Sequence, residues 1–188
     1  MVSVDFFTVP TIRFQVLYVF LVLAHDRRRI LHFAVTAHPT AEWTAQQLRE
    51  AFPWDTAPRY LLRDRDRIFG KEVVDKIKAM GINQVLSAPR SPWQRAYVER
   101  VIGTIRRECL DFIILINESH LSRTIREWAA HYNGGRPHAS LGPGIPEPPQ
   151  ATVPASVHRH RLPAGFRVTA KPVLSGLHHE YGLQKEAA

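Results

Sequence analysis

A single cysteine, Cys109, leaves this chain no internal disulfide, so packing alone must hold its fold. Such sparing cysteine usage fits a reducing compartment. The ten histidines are scattered, and no Cys/His group has zinc-ligand spacing. Long apolar runs are also lacking. The longest, residues 14–24, is too short to span a bilayer and contains Gln15. No basic segment precedes an apolar stretch at the N-terminus, so no signal peptide is expected, and no segment recurs at a fixed period. These absences point to a cytoplasmic chain without a membrane span. Acidic residues are the scarcer charge: 17 Asp+Glu against 25 Lys+Arg, a formal net charge of +8. That imbalance favours a polyanionic partner, with nucleic acid ahead of membrane.

Apolar residues make up 45% of the 188, enough to bury a core and to exclude wholesale disorder. Residues 2–9 and 30–37 alternate loosely between apolar and polar, and residues 12–24 are β-branched and aromatic. All three read as strands, joined through the charged turn HDRRR into an antiparallel meander. Thr40 is placed to cap a helix running to Phe52. A short strand, residues 59–63, leads to Asp64. A helix over 70–80 is stopped by Gly81, and a strand follows over 82–87. A long helix is expected from about Pro92 to Leu110, and another from Glu118 to Tyr132. From Arg136 onward Pro and Gly dominate, which reads as a weakly structured basic tail with one candidate edge strand at 166–174. The division expected is a core over 1–145 and a Pro-rich tail over 146–188. The element order implies an α/β fold, a mixed sheet with helices packed on it.

Three carboxylates are out of place in this pattern. Asp5 interrupts an apolar strand, Asp64 ends another, and Glu99 lies in the basic segment WQRAYVERVIGTIRRE. Hard divalent cations take oxygen ligands, and phosphodiester chemistry uses pairs of such ions clamped between carboxylates from separate elements. On the long helix, Val98, Val101, Ile102, Ile105 and Cys109 form the apolar stripe, and Glu99 flanks it with Gly103 and Arg106 on its own face. A small residue there leaves room for a nucleic-acid backbone. The plainer alternatives stay open: Asp5 as a hydrogen-bonded strand residue, Asp64 as part of the charged run RDRDR, and Glu99 paired with Arg95 for ~0.3–0.5 kcal/mol. Arg90, Arg95 and Arg107 are the candidate phosphate contacts, with Arg106 adding charge; Trp93 and Tyr97 either stack on bases or pack into the core.

The segments YLLRDRDRIFG, SAPRSPWQRAYVERVIGTIRRECLD and WAAHYNGGRPHASLG, with the strand VDFFTVPT, resemble the catalytic core of insertion-sequence transposases and retroviral-type integrases of the Asp-Asp-Glu family. The resemblance spans about residues 3–145. It implies a ribonuclease-H-like fold with a five-stranded mixed sheet. By position, Asp5, Asp64 and Glu99 match the family's three metal ligands, the last two separated by the family's usual 35 positions. It further implies Mg²⁺- or Mn²⁺-dependent polynucleotidyl transfer, in which a DNA 3′-hydroxyl attacks a target phosphodiester. The partners implied are element ends and target DNA, engaged by a homodimer or higher multimer, in a cytoplasmic, nucleoid-associated setting of prokaryotic type. Two positions depart from the pattern. Asp66 stands where a glycine is usual, and so competes with Asp64, although Phe69 keeps the family's aromatic spacing from Asp64. Arg95 follows Gln94 where Asn is usual. Full-length relatives also carry an N-terminal helix-turn-helix region that this sequence does not show. A nuclease of the same fold, and a truncated or inactive DNA-binding remnant, are the alternatives.

Overall fold

A computed structural model describes residues 1–53, 55–66, 68–88, 92–142, 144–148 and 162–186, with Pro92 and Trp93 described by backbone alone. The chain divides into two compact units, Met1–Ile125 and Arg126–Ala188.

In the first unit, strands β1 (Val2–Pro10), β2 (Val16–Ala24) and β3 (Ile30–Thr36) form the antiparallel meander. Strands β4 (Tyr60–Arg63) and β5 (Asn83–Leu86) add in parallel on the other side of β1, giving the order β3-β2-β1-β4-β5. This is the five-stranded mixed sheet expected. β2 begins four residues later than its apolar run, because Thr11–Gln15 closes a turn. Thr11 N–H donates to the Gln15 carbonyl at 2.9 Å, and Phe14 takes a left-handed φ of 60°. Hydropathy alone does not register such a break.

Helix α1 (Ala41–Ala51) starts at Thr40, whose Oγ1 accepts from Trp43 N–H at 3.1 Å. Helix α2 (Lys71–Ala79) is followed by Gly81 at φ 69°, a conformation that favours glycine. Helix α3 (Ala96–Glu108) is entered through a 3₁₀ turn, Pro92–Arg95, and α4 (Glu118–Gly134) follows.

Strand alternation divides the sheet's two faces. Val2 and Val4 on β1, with Phe20 and Val22 on β2, enter one core with Leu48 of α1 and Val73 and Ile77 of α2. Ser3, Asp5 and Phe7 point to the opposite face, where α3 lies. Val98, Val101, Ile105 and Cys109 are buried there as the helical spacing requires.

The second unit holds the C-terminal part of α4 and an antiparallel hairpin, β6 (Phe166–Val173) and β7 (His178–Lys185). The segment expected as weakly structured tail is therefore ordered over this stretch. The candidate edge strand at 166–174 is β6; its partner β7, HHEYGLQK, went unread because its polar sequence carries little alternation. Glu180 of β7 accepts from His131 Nδ1 of α4 at 3.0 Å, and the His131 and His178 rings stack with centroids 5.0 Å apart.

A candidate carboxylate centre

Three elements bring the three carboxylates together. β1 and β4 are parallel neighbours, paired at Val2↔Leu61 and Ser3↔Leu62. Asp5 in β1 and Asp64, one residue past β4, therefore stand at the same level of the sheet. α3 crosses the same face and presents Glu99 from its first turn.

Their meeting point is the guanidinium of Arg95. One terminal nitrogen donates to Asp5 Oδ2 and to Asp64 Oδ2, each at 3.2 Å. The other lies 3.3 Å from Glu99 Oε1. Two oxygens that share one nitrogen are at most twice that 3.2 Å apart. The Arg95–Glu99 pair weighed from the sequence exists, then, but as one arm of a four-residue cluster.

Each acid is also fixed locally. Asp5 Oδ1 accepts from Phe6 N–H at 2.9 Å, and Asp64 Oδ1 accepts from Asp66 N–H at 3.0 Å. The Asp66 carboxylate turns elsewhere and accepts from Ile68 N–H at 3.0 Å. So it is Asp64 that faces Arg95, and Asp66 shapes the turn behind it. Burial pushes the Asp5 carboxyl up from 3.8 to about 6. Arg95 and the Phe6 N–H oppose that rise, while the charges of Asp64 and Glu99 add to it.

Arg63 belongs to this centre's frame and was not singled out from the sequence. It is buried; its Nε donates to Gln84 Oε1 at 3.0 Å, a terminal nitrogen donates to the Asp64 carbonyl at 2.9 Å, and the guanidinium lies over the Phe69 ring. It thereby ties the end of β4 to β5 and holds the backbone that carries Asp64. Its only sequence signal was an arginine inside an apolar strand. Phe69 packs on Phe6 with ring centroids 5.7 Å apart.

The other expected contacts are distributed unevenly. Arg106 does share a helix face with Glu99, but its guanidinium donates to the Thr8 carbonyl at 3.0 Å and covers the Phe7 ring. Arg107 is exposed, and its guanidinium lies over Gly103, where an added Cβ would meet it at 3.0 Å. The open space expected beside Gly103 is thus covered by a mobile-ended side chain rather than vacant. Tyr97 packs edge-on to His25, with centroids 5.0 Å apart, and Arg28 covers its ring. Arg90 and the Trp93 side chain lie outside the described residues.

The donor set is all oxygen and converges on one positive charge, which is the ligand type Mg²⁺ and Mn²⁺ take. In that chemical sense the residues fit a divalent cation. Among the described residues, however, no group of three or more His, Cys, Asp or Glu is arranged to hold a metal ion directly. The oxygens are instead spaced around a guanidinium.

Residues 80–146 match the family model described as integrase core domain. The match takes in Glu99 and Arg95; Asp5 and Asp64 lie ahead of it. The chain is similar to the 39.2 kDa protein of insertion element IS476 from Xanthomonas euvesicatoria, 39% identical over 62 residues, which cover 33% of this chain and 18% of that protein. It is also similar to the 31.7 kDa protein of insertion element IS407 from Burkholderia multivorans, 29% identical over 100 residues, 53% of this chain and 36% of that protein. The chain thus spans well under half the length of the curated relatives it matches. Among solved structures, the HTLV-2 integrase catalytic core domain in complex with magnesium superimposes with a TM-score of 0.55 at 14% identity, over 70% of this chain and 83% of that one. The fold is therefore the ribonuclease-H-like fold of integrase catalytic cores. Among the described residues, no helix is long and apolar enough to cross a membrane.

Proposed function

We propose that residues 1–145 form the catalytic core of a DNA transposase or integrase, with 146–188 as an appended C-terminal segment. Its activity is polynucleotidyl transfer, the attack of a DNA 3′-hydroxyl on a target phosphodiester. The observation that carries this reading is the convergence of Asp5, Asp64 and Glu99, from three separate elements, on a single cationic centre. The insertion-element relatives and the integrase core match support it.

In this reading Asp5, Asp64 and Glu99 hold Mg²⁺ or Mn²⁺. The bound cation would supply Lewis-acid activation of the attacking hydroxyl and charge stabilisation at the phosphorus. The chain's own residues do the rest. Arg63 and the Asp66 N–H fix the level and orientation of Asp64. Phe6 N–H holds one Asp5 oxygen, leaving Oδ2 turned to the centre. The excess of basic residues draws the DNA backbone toward the acids. Arg90, Trp93, Arg95, Arg106 and Arg107 are the side chains assigned to DNA, and Arg107, exposed on α3, is the one most open to a phosphate. The partners are element ends and target DNA, engaged by a homodimer or higher multimer in a nucleoid-associated cytoplasmic setting.

A strand-transfer assay on pre-cut DNA ends tests the assignment. Joined products are expected with Mg²⁺ or Mn²⁺ and lost in Glu99→Gln. Cleavage without joining would identify a nuclease of the same fold. DNA binding indifferent to metal and to Glu99→Gln would identify a non-catalytic remnant.

A further inference from the structure

Arg95 stands where a cation for these acids is needed, and it comes from the same chain segment as one of them. It closes the 3₁₀ turn at Pro92–Arg95, four positions before Glu99. Its side chain is only 21% exposed, and its two terminal nitrogens reach Asp5, Asp64 and Glu99 at 3.2–3.3 Å. A guanidinium stays charged at any physiological pH and offers several donors in a fixed plane, so it can satisfy carboxylates arriving from different directions. Without it, three like charges meet around one point with no counter-charge among them.

The same geometry sets up a conflict. Asp5 Oδ2 and Asp64 Oδ2 are the oxygens left to the centre, since Phe6 N–H and Asp66 N–H hold the other oxygen of each, and Glu99 Oε1 faces the same guanidinium. A divalent cation ligated by these acids needs the oxygens that the guanidinium now occupies. The two positive charges would also repel at close range.

We propose that Arg95 holds the three carboxylates in place of a divalent cation and competes with that cation for them, so that cation binding requires release of its guanidinium. The inference rests on the metal-site reading above. Removing Arg95 takes away the competitor and leaves an unneutralised carboxylate cluster, and both effects strengthen cation binding. Because the pairs are partly solvent-screened, the net coupling is on the order of a single strong ion pair, which corresponds to roughly tenfold in affinity.

Mn²⁺ binding by calorimetry and by electron paramagnetic resonance of free Mn²⁺ tests this on the full chain. Arg95→Gln should bind Mn²⁺ roughly tenfold more tightly than the wild type, whereas Arg95→Lys, which keeps the charge, should stay within about threefold of it. In the wild type, Mg²⁺ titration should shift the Arg95 Nε–Hε resonance at the concentrations where Mg²⁺ binds. This readout needs no variant. Equal or weaker binding by Arg95→Gln, a lysine variant that behaves like the glutamine one, or an Arg95 resonance unmoved at saturation would each overturn the proposal. Asp64→Asn separates the two readings. If it abolishes Mn²⁺ binding while Arg95→Gln matches wild type, only the Arg95 inference fails. If it leaves binding unchanged, the metal-site reading fails and the inference with it.

Discussion

Replacing Asp5 with asparagine should stabilise the protein at neutral pH, although it removes an ion pair. The Asp5 carboxyl is raised from 3.8 to about 6, with burial as the largest cause and the Arg95 contact insufficient to offset it. The folded state therefore binds the Asp5 proton more tightly than the unfolded chain does. The associated stability is fully present below about pH 4 and is lost as pH rises through about 6. A difference of about two pH units corresponds to roughly 3 kcal/mol, and we take ~1–3 kcal/mol as the expected gain in Asp5→Asn above pH 7. The amide is nearly isosteric, so the acceptor for Phe6 N–H is kept. Urea unfolding of both proteins across about pH 4 to 8 reads this out. The two should be close in stability at the acid end and diverge as pH rises through the interval. A variant less stable than wild type at the alkaline end, or a difference that does not change with pH, would refute the reasoning and show that the Arg95 pair outweighs desolvation.

Two further perturbations probe the two compact units. Thr40→Ala removes the side-chain acceptor of Trp43 N–H and should cost ~1 kcal/mol in urea unfolding, with Thr40→Ser restoring most of it. Gly135→Ala introduces a Cβ 2.4 Å from Glu180 Oε1. The Glu180 side chain must then turn away and give up its contact with His131, so amide exchange should accelerate across β6 and β7 while β1–β5 keep their protection; a loss of ~1 kcal/mol in hairpin protection is expected. Unchanged exchange in the hairpin would contradict the contact.

What was legible in the sequence follows from what local pattern encodes. The alternation of VSVDFFTV puts Asp5 on the face opposite Val2 and Val4, and the structure keeps that division. Thr40, Gly81 and the α3 stripe were readable because capping, left-handed turns and helical spacing are properties of a few adjacent residues. The adjacency of Asp5 and Asp64 is implied by the family resemblance and not by local pattern, because it depends on β4 lying parallel beside β1, and sequence separation says nothing of strand order. The role of Arg95 was hidden for the same reason. Its tie to Glu99 is a helical spacing, but its ties to Asp5 and Asp64 span 90 and 31 positions. Arg63 and β7 show a further limit. Their positions are set by partners distant in sequence, and a polar strand such as HHEYGLQK offers no periodicity to read.

The central claim is that Asp5, Asp64 and Glu99 form a divalent-cation site once Arg95 withdraws. Anomalous scattering from Mn²⁺ in crystals of the protein tests it most directly. An anomalous peak ligated by Asp5, Asp64 and Glu99 is expected, with the Arg95 guanidinium displaced from all three. No peak at saturating Mn²⁺, with Arg95 still bridging the three carboxylates, would contradict it.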